Sequence, residues 1–336
     1  MEVWLSGGFR EKLEDGERYH IEGFYDGASF DSRFVLPLEE ALPQEFDVAI
    51  CAHTSDTMFP RVAHKTVQIF HGVSFKNFAV REKVLAYDFL CIPGRYHAER
   101  FREHGLVREN GSRCLLTGFA KMDALVNQPC GNGLVTTLGL DPNRPTLLYA
   151  PTGGKHNSLE SIGPEIIREI RDRDEWNLLV KPHDHPKKPV DWNGLSELES
   201  RHVRMVRDLD VIPYLKSADL LLTDASSVAI EYTLLDRPLV FIDVPKMFKN
   251  ILKRGAPLDL ETHGRKMGDV AGTTSDVVEA VHKALANPEE KRAERVATAQ
   301  HVFYEPGNAS RRVADVVLYA AGILEDLPPS IETIVP

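Results

Sequence analysis

The stretch ADLLLTDASSVAIEYTLLDRPLVFID, from Ala218 to Asp243, reads as strand, tight polar turn, helix and strand. Its apolar runs DLLLT and PLVFID are continuous rather than alternating, as expected of parallel strands buried on both faces of a sheet. Together they make a βαβ unit. Thr223, Asp224, Ala225, Ser226 and Ser227 stand where the first strand ends and the helix begins. Backbone N–H groups at such a start, beside two hydroxyls, form an anion site suited to a diphosphate. Glu231 falls one turn past Ser227, where a carboxylate can accept hydrogen bonds from ribose hydroxyls. The plainer reading stays open: Asp224 or Ser226 caps the helix and Glu231 faces solvent.

Outward from this unit the same rhythm continues, with short apolar runs separated by amphipathic, charge-rich stretches. Strands are predicted at 46–53, 66–72, 89–94 and 113–118, then at 146–152, 176–183, 203–206, 219–223 and 239–244. Between the two sets lies NQPCGNGLVTTLGLDPNRP, punctuated by Pro, Gly and Asn. With 336 residues the chain is long enough for two domains. The division expected is a Rossmann-like domain over 1–132, a second over 133–306, and a closing helix and tail over 307–336. Val313, Val316, Val317, Ala320 and Ile323 can share one face of that helix, whereas the tail LEDLPPSIETIVP reads as loose.

A net charge of −10 argues against a surface built to hold nucleic acid. The four cysteines, Cys51, Cys91, Cys114 and Cys130, form no C-x-x-C pair and signal neither zinc nor a disulfide framework. The first residues turn charged before a signal-peptide core can form, and no run reaches the ~20 apolar residues of a membrane helix. A cytoplasmic protein is expected, with peripheral contact at a membrane left open.

Two further strand ends carry chemistry. In QIFHGVSFKN, His71 ends an apolar run, and the ends of parallel strands are where open α/β sheets hold ligands. A neutral imidazole there can take a proton from an attacking hydroxyl, and Lys76 can attract phosphate charge. A histidine hydrogen-bonded in a turn is the plainer alternative. In NLLVKPHDHPKKP, Lys181 and His183 can both donate to phosphoryl oxygens. His183 and His185 form an H-x-H pair without a third ligand at helpful spacing, so no metal is expected. Lys187 and Lys188 read as a solvated loop, with contact to an anionic acceptor left open. Asp208-Leu209-Asp210 has the D-x-D form of metal-dependent sugar transferases, but Asp210 reads better as a helix cap. Ser6-Gly7-Gly8 is either a phosphate loop or a strand end, and Asp56 and His64 belong to no pattern.

In order, these pieces resemble the catalytic domain of CDP-glycerol glycerophosphotransferases, enzymes of teichoic-acid and capsule polymer synthesis. HGVSFK is similar to that family's H-G-T-P-x-K, TGFAKMD to G-x-P-R-x-D, YAPTGG to Y-A-P-T-W-R and VKPH to K-P-H. TDASS matches T-D-Y-S-S, LLDRPLVFI matches L-L-D-K-P-I-I-F, and EPGNASRRVAD resembles D-G-x-A-S-x-R-x-x-D. The likeness runs from about Thr66 to Asp315. It departs where Gly153 and Gly154 replace Trp-Arg, Lys121 replaces Arg and Pro306 replaces an acidic residue.

The resemblance implies a GT-B fold, two Rossmann-like domains whose parallel sheets face a central cleft. It implies a transferase that moves glycerol phosphate from CDP-glycerol to a hydroxyl of a polyol-phosphate or lipid-linked saccharide acceptor, releasing CMP without a resident cofactor. His71 would be the base and His183 would steady the phosphoryl group. Lys181, Thr152, Thr223, Asp224, Ser226, Ser227 and Glu231 would hold the donor, with Lys76, Lys121, Asp123, Ser310 and Arg311 as phosphate or acceptor contacts. The missing arginine leaves another CDP-alditol or a nucleotide sugar open as donor. The alternative is a glycosyltransferase or a UDP-sugar 2-epimerase-like enzyme on the same fold; epimerases usually show Ser-Gly-Gly where this chain has Ala-Ser-Ser. A nucleotide-binding protein without catalysis is a third reading. Acceptor identity, the number of units added and the oligomeric state are not encoded in any motif.

Overall fold

The computed structural model describes residues 9–13, 16–20, 36, 38–41, 43–52, 63–77, 79–111, 113–129, 133–183, 190–253, 259 and 264–336, with backbone alone at 9–13, 16–20, 38 and 39. Strands β1 (Phe9–Leu13) and β2 (Gly16–His20) pair as an antiparallel ribbon. The first large sheet holds β3 (Phe46–Cys51), β4 (Ala63–Gln68), β5 (Phe89–Ile92) and β6 (Arg113–Leu116), all parallel and adjacent in chain order. The second holds β7 (Thr146–Tyr149), β8 (Asn177–Val180), β9 (Val203–Met205), β10 (Leu220–Thr223), β11 (Leu239–Ile242) and β12 (Asp269–Ala271).

All six strands of the second sheet are parallel, in the order β12-β11-β10-β7-β8-β9. This is the doubly wound Rossmann order, and the chain reverses direction of travel between β7 and β10. Both faces must be covered, and all four residues of β7, β8, β10 and β11 are buried. On one side, helix Gly163–Arg173 contributes Ile166, Ile167 and Ile170, and helix Thr274–Ala286 contributes Val277, Val278 and Val281. The latter helix opens on a capping box between Thr273 and Asp276.

A single apolar cluster crosses between the halves. Val73, Phe75, Tyr96, Phe119 and Met122 of the first pack with Leu148, Leu179, Ile212, Ala225 and Ile230 of the second. Burial on this scale, at roughly 25 cal/mol per Å² of apolar surface, holds the two sheets in a defined relation.

The chain then returns to its first half. Tyr304 N donates to Pro93 O at 2.9 Å, beside Gly94, where a Cβ would fall 2.0 Å from Val302 O. Helix Ala309–Ala320 places Val316 against Val67 and Leu115. Ile323 leaves that face: Gly322 turns at φ 72° and the isoleucine is exposed. The tail is not loose either. β13 (Glu332–Ile334) pairs antiparallel with β6, because Ile331 and Ile334 bury apolar side chains at the sheet edge and Arg102 Nε donates to Val335 O at 2.8 Å.

Candidate active site

In an open parallel sheet a ligand sits beyond the carboxyl ends of the strands where strand order reverses. Here that point is between β7 and β10, and a cleft of about 360 Å³ opens there. Its walls come from both halves: His71, Gly72, Lys76 and Lys121 from the first, and Thr152, Lys181, His183, Ser226 and Ser227 from the second. A Cβ on Gly72 would stand 3.9 Å from Ser227 Oγ, so the histidine turn and the serine turn meet across the cleft.

The chain leaves β4 at Gln68, Ile69 N still donates to Cys51 O, and the buried Phe70 then adopts φ 52°. A left-handed non-glycine residue costs of order 1 kcal/mol and marks a deliberate turn. Its effect is to bring His71 to an exposed position on the cleft wall, with Nδ1 3.0 Å from Ala52 O. A carbonyl oxygen only accepts, so Nδ1 carries the ring proton and Nε2 is the basic nitrogen.

Five residues on, Lys76 Nζ donates to Thr152 Oγ1 at 3.0 Å and links the two halves. Burial lowers the Lys76 ammonium below its ordinary range, and the charge of Asp224 partly offsets this. Lys121 Nζ reaches Glu231 at 2.9 and 3.0 Å, one contact to each carboxylate oxygen.

Behind the wall lies a polar network. Asp224 accepts from Thr152 N (2.8 Å), Ala225 N (2.6 Å), and Ser158 N and Oγ (both 2.8 Å). Tyr149 O–H donates in turn to Ser158 Oγ at 2.9 Å, and burial raises the phenol well above its usual range. Four donors satisfy a carboxylate that would otherwise be costly to bury. Thr223 donates its hydroxyl to Ala150 O at 2.7 Å.

Three expected donor contacts therefore stand behind the cleft wall rather than in it. Thr223, Asp224 and Glu231 are fully buried and none lines the cleft. Glu231 does not face solvent, because the short helix Val228–Tyr232 turns it inward toward Lys121. Asp123, Ser310 and Arg311 are also elsewhere. Asp123 accepts from the backbone of Gly307, Ala309 and Ser310 at 3.0, 3.1 and 2.6 Å and caps helix Ala309–Ala320, while Arg311 pairs with Asp315. His185, Lys187, Lys188, Cys130, Asp56 and Ser6-Gly7-Gly8 lie outside the described residues, and His64 is exposed on β4.

Gly153 has a local reason. A Cβ there would lie 2.9 Å from His183 Nδ1 and 3.1 Å from Cγ, so the imidazole occupies the space that a side chain would take. The sequence reading missed Trp192 and Arg207, both on the cleft wall. The Arg207 guanidinium lies over the indole, 5.0 Å from its centroid. Asp208 also lines the cleft: its side chain accepts from Tyr214 O–H and its carbonyl from Lys181 Nζ. Asp210 stands one residue ahead of the N-cap, Val211, rather than at it, and its Oδ1 accepts from Ile212 N at 2.9 Å at the start of the helix Ile212–Ser217. Among the described residues no group of three or more His, Cys, Asp or Glu side chains could hold a metal.

Residues 48–319 match the family model of CDP-Glycerol:Poly(glycerophosphate) glycerophosphotransferase. The chain is 29% identical to a teichoic acid glycerol-phosphate primase of Bacillus spizizenii, over 52% of this chain and 49% of that protein. It is 25% identical to a teichoic acid poly(glycerol phosphate) polymerase of the same species, over 69% and 59%. It thus spans about half to three fifths of the length of these relatives. The solved structure of the wall teichoic acid polymerase TagF superposes with a TM-score of 0.63 at 19% identity, covering 83% of this chain and 74% of that one. The shared architecture is the GT-B fold.

Proposed function

The chain belongs to the CDP-glycerol:poly(glycerophosphate) glycerophosphotransferase family, and on that premise we propose that it transfers glycerol phosphate from CDP-glycerol to a hydroxyl of a polyol-phosphate or saccharide acceptor, releasing CMP. One observation carries the reading: His71 and the serine pair Ser226 and Ser227, from opposite halves, line the same cleft. The donor diphosphate would lie at the reversal point of the second sheet, against Ser226, Ser227 and Thr152, with Lys181, His183 and Lys121 supplying positive or donating groups. The acceptor would approach from the side of His71.

His71 Nε2 takes the proton of the attacking hydroxyl as its oxygen bonds to the glycerol-bearing phosphorus. The phosphoanhydride bond breaks, and CMP leaves with the electron pair on its phosphate oxygen. Little covalent work falls to the protein; alignment and stabilisation of developing charge supply the rate. Asp224, Glu231 and Thr223 are supports in this scheme. Asp224 fixes Thr152, Glu231 aims Lys121, and Thr223 ties the β10 exit to the β7 exit. Asp123 secures the helix from Ala309, and Ser310 and Arg311 serve no step. No resident cofactor is called for.

The family match favours this over the nucleotide-sugar transferase or epimerase alternative. No helix of the described residues is long and apolar enough to cross a membrane. We place the reaction in the cytoplasm, where the activated nucleotide would be available, with the acceptor presented at a membrane face. The test is incubation with CDP-glycerol and a glycerol-phosphate primer. CMP release coupled to primer extension supports the proposal, and consumption of a UDP-sugar with CDP-glycerol untouched overturns it.

A further inference from the structure

The cleft runs past the catalytic groups. From the β7 exit its wall continues through Lys181 at the end of β8 to Val206, Arg207, Asp208 and Leu209 beyond β9. Neighbouring strands are spaced about 4.8 Å apart, so the β9 exit lies on the order of 10 Å from the β7 exit. That is the reach of a ribose and a pyrimidine extending from a phosphate held at the reversal point. The Lys181 bond to the Asp208 carbonyl fixes the β9 loop to the phosphate end of the wall.

The groups at this far end differ in kind from those at the near end. The Arg207 guanidinium lies over the Trp192 indole in a cation–π stack, 5.0 Å from its centroid, and Leu209 on the same wall is 67% exposed. A flat ring can extend such a stack, because base–aromatic contacts depend on the π face and tolerate any base. Stacking alone therefore does not discriminate. Asp208 supplies what is missing. Its carboxylate is oriented by the hydroxyl of Tyr214, a residue 4% exposed. A carboxylate accepts hydrogen bonds and offers none, which suits the exocyclic amine of cytosine and repels the carbonyl oxygen that uracil carries at the same position.

We infer that Trp192 and Arg207 form the nucleobase shelf of the donor site and that Asp208 selects cytosine over uracil. The inference rests on the cytidine-donor reading above and adds its specificity determinant. Tyr214 acts as a positioning residue, holding the carboxylate toward the ring edge.

Isothermal titration of CDP and UDP into the full chain, the Asp208→Asn and Trp192→Ala variants, and Tyr214→Phe tests it. The unsubstituted chain should bind CDP about tenfold or more tighter than UDP. Asp208→Asn, whose amide can both donate and accept, should bring the ratio to within about threefold, chiefly by improving UDP. Trp192→Ala should weaken both nucleotides about tenfold or more and leave their ratio unchanged. Tyr214→Phe, which keeps the buried ring, should reduce the ratio without abolishing binding. The ratio in the unsubstituted chain reports the donor reading: a preference for UDP sinks that reading and the inference with it. A CDP preference that survives unchanged in Asp208→Asn, or nucleotide affinities untouched in Trp192→Ala, overturns the inference alone.

Discussion

Lys121 and Glu231 form an ion pair between the two halves in which one partner is half exposed and the other sealed: the lysine side chain is 38% accessible and the carboxylate 0%. Such a pair is asymmetric in its consequences. Removing the lysine strands a buried charge, while removing both leaves little uncompensated. Lys121→Ala should lower unfolding free energy by about 2 to 3 kcal/mol, less than for a wholly buried pair because the lysine keeps water contact. Lys121→Met with Glu231→Leu should recover most of that loss. Urea midpoints for Lys121→Met, Glu231→Leu and the double variant close the cycle, and additive losses would remove the pairing from the account.

His71→Ala should reduce CMP release by about 100-fold to 10,000-fold, the range associated with a positioned general base. Nucleotide binding should be retained, since the serine turn and Lys181 belong to the other half. Turnover assays with parallel thermal shifts in CDP separate the two, and a variant with ordinary turnover takes His71 out of the mechanism.

Gly153→Ala tests a narrower point. Gly153 is not in a left-handed conformation, so alanine brings no backbone strain, and the added methyl meets the His183 ring at 2.9 Å. The imidazole must shift. Misplacement of a catalytic group by about 1 Å can cost on the order of 100-fold, so kcat should fall by ten- to a hundredfold while stability changes by about 0.5 kcal/mol or less. Equal kcat in the variant and the unsubstituted chain would show that His183 tolerates displacement.

His97 predicts an acid limb. It lies on the cleft wall, 6% exposed, and its Nδ1 has no hydrogen-bond partner among the described residues. Burial, then the proximity of His301, pushes its pKa from 6.5 down to about 4. Between those values the unfolded chain binds a proton that the folded chain does not, so stability rises with pH across the window and is lost as pH falls toward 4. From that difference the loss contributed by this group is about 3 kcal/mol. His97→Phe should flatten the dependence of the urea midpoint on pH between 6.5 and 4. An acid limb of unchanged slope would assign it to other groups.

Much of this arrangement was legible in the residues. The runs LLLT, LVFI, NLLV and TLLY are strands because a parallel sheet covered on both faces demands unbroken apolar content, and that demand is local. His71, Lys181, His183, Ser226 and Ser227 were found by position, at strand ends. β12 escaped notice because Asp269–Ala271 carries no such run. It is placed by the bareness of Gly268, where a Cβ would fall 2.4 Å from Leu239 O. β13 escaped because prolines at 328 and 329 read as disorder, while the pairing that orders Ile334 is with Cys114. Asp224 and Glu231 were expected in the cleft because sequence reports a carboxylate beside a helix start but not the direction in which it points. Trp192 and Arg207 are 15 residues apart and meet only through the packing of the second sheet.

The antiparallel pairing of Glu332 with Leu116 has a consequence for how the molecule comes into being. During synthesis, β6 leaves the ribosome more than two hundred residues before its edge partner does. The whole second sheet is made in the interval, so closure of the first is a late, long-range event of high contact order. The chain behaves as a clasp rather than as two beads: severing it between the sheets would leave the amino-terminal piece with an open border and the carboxy-terminal piece with a strand that has nothing to join.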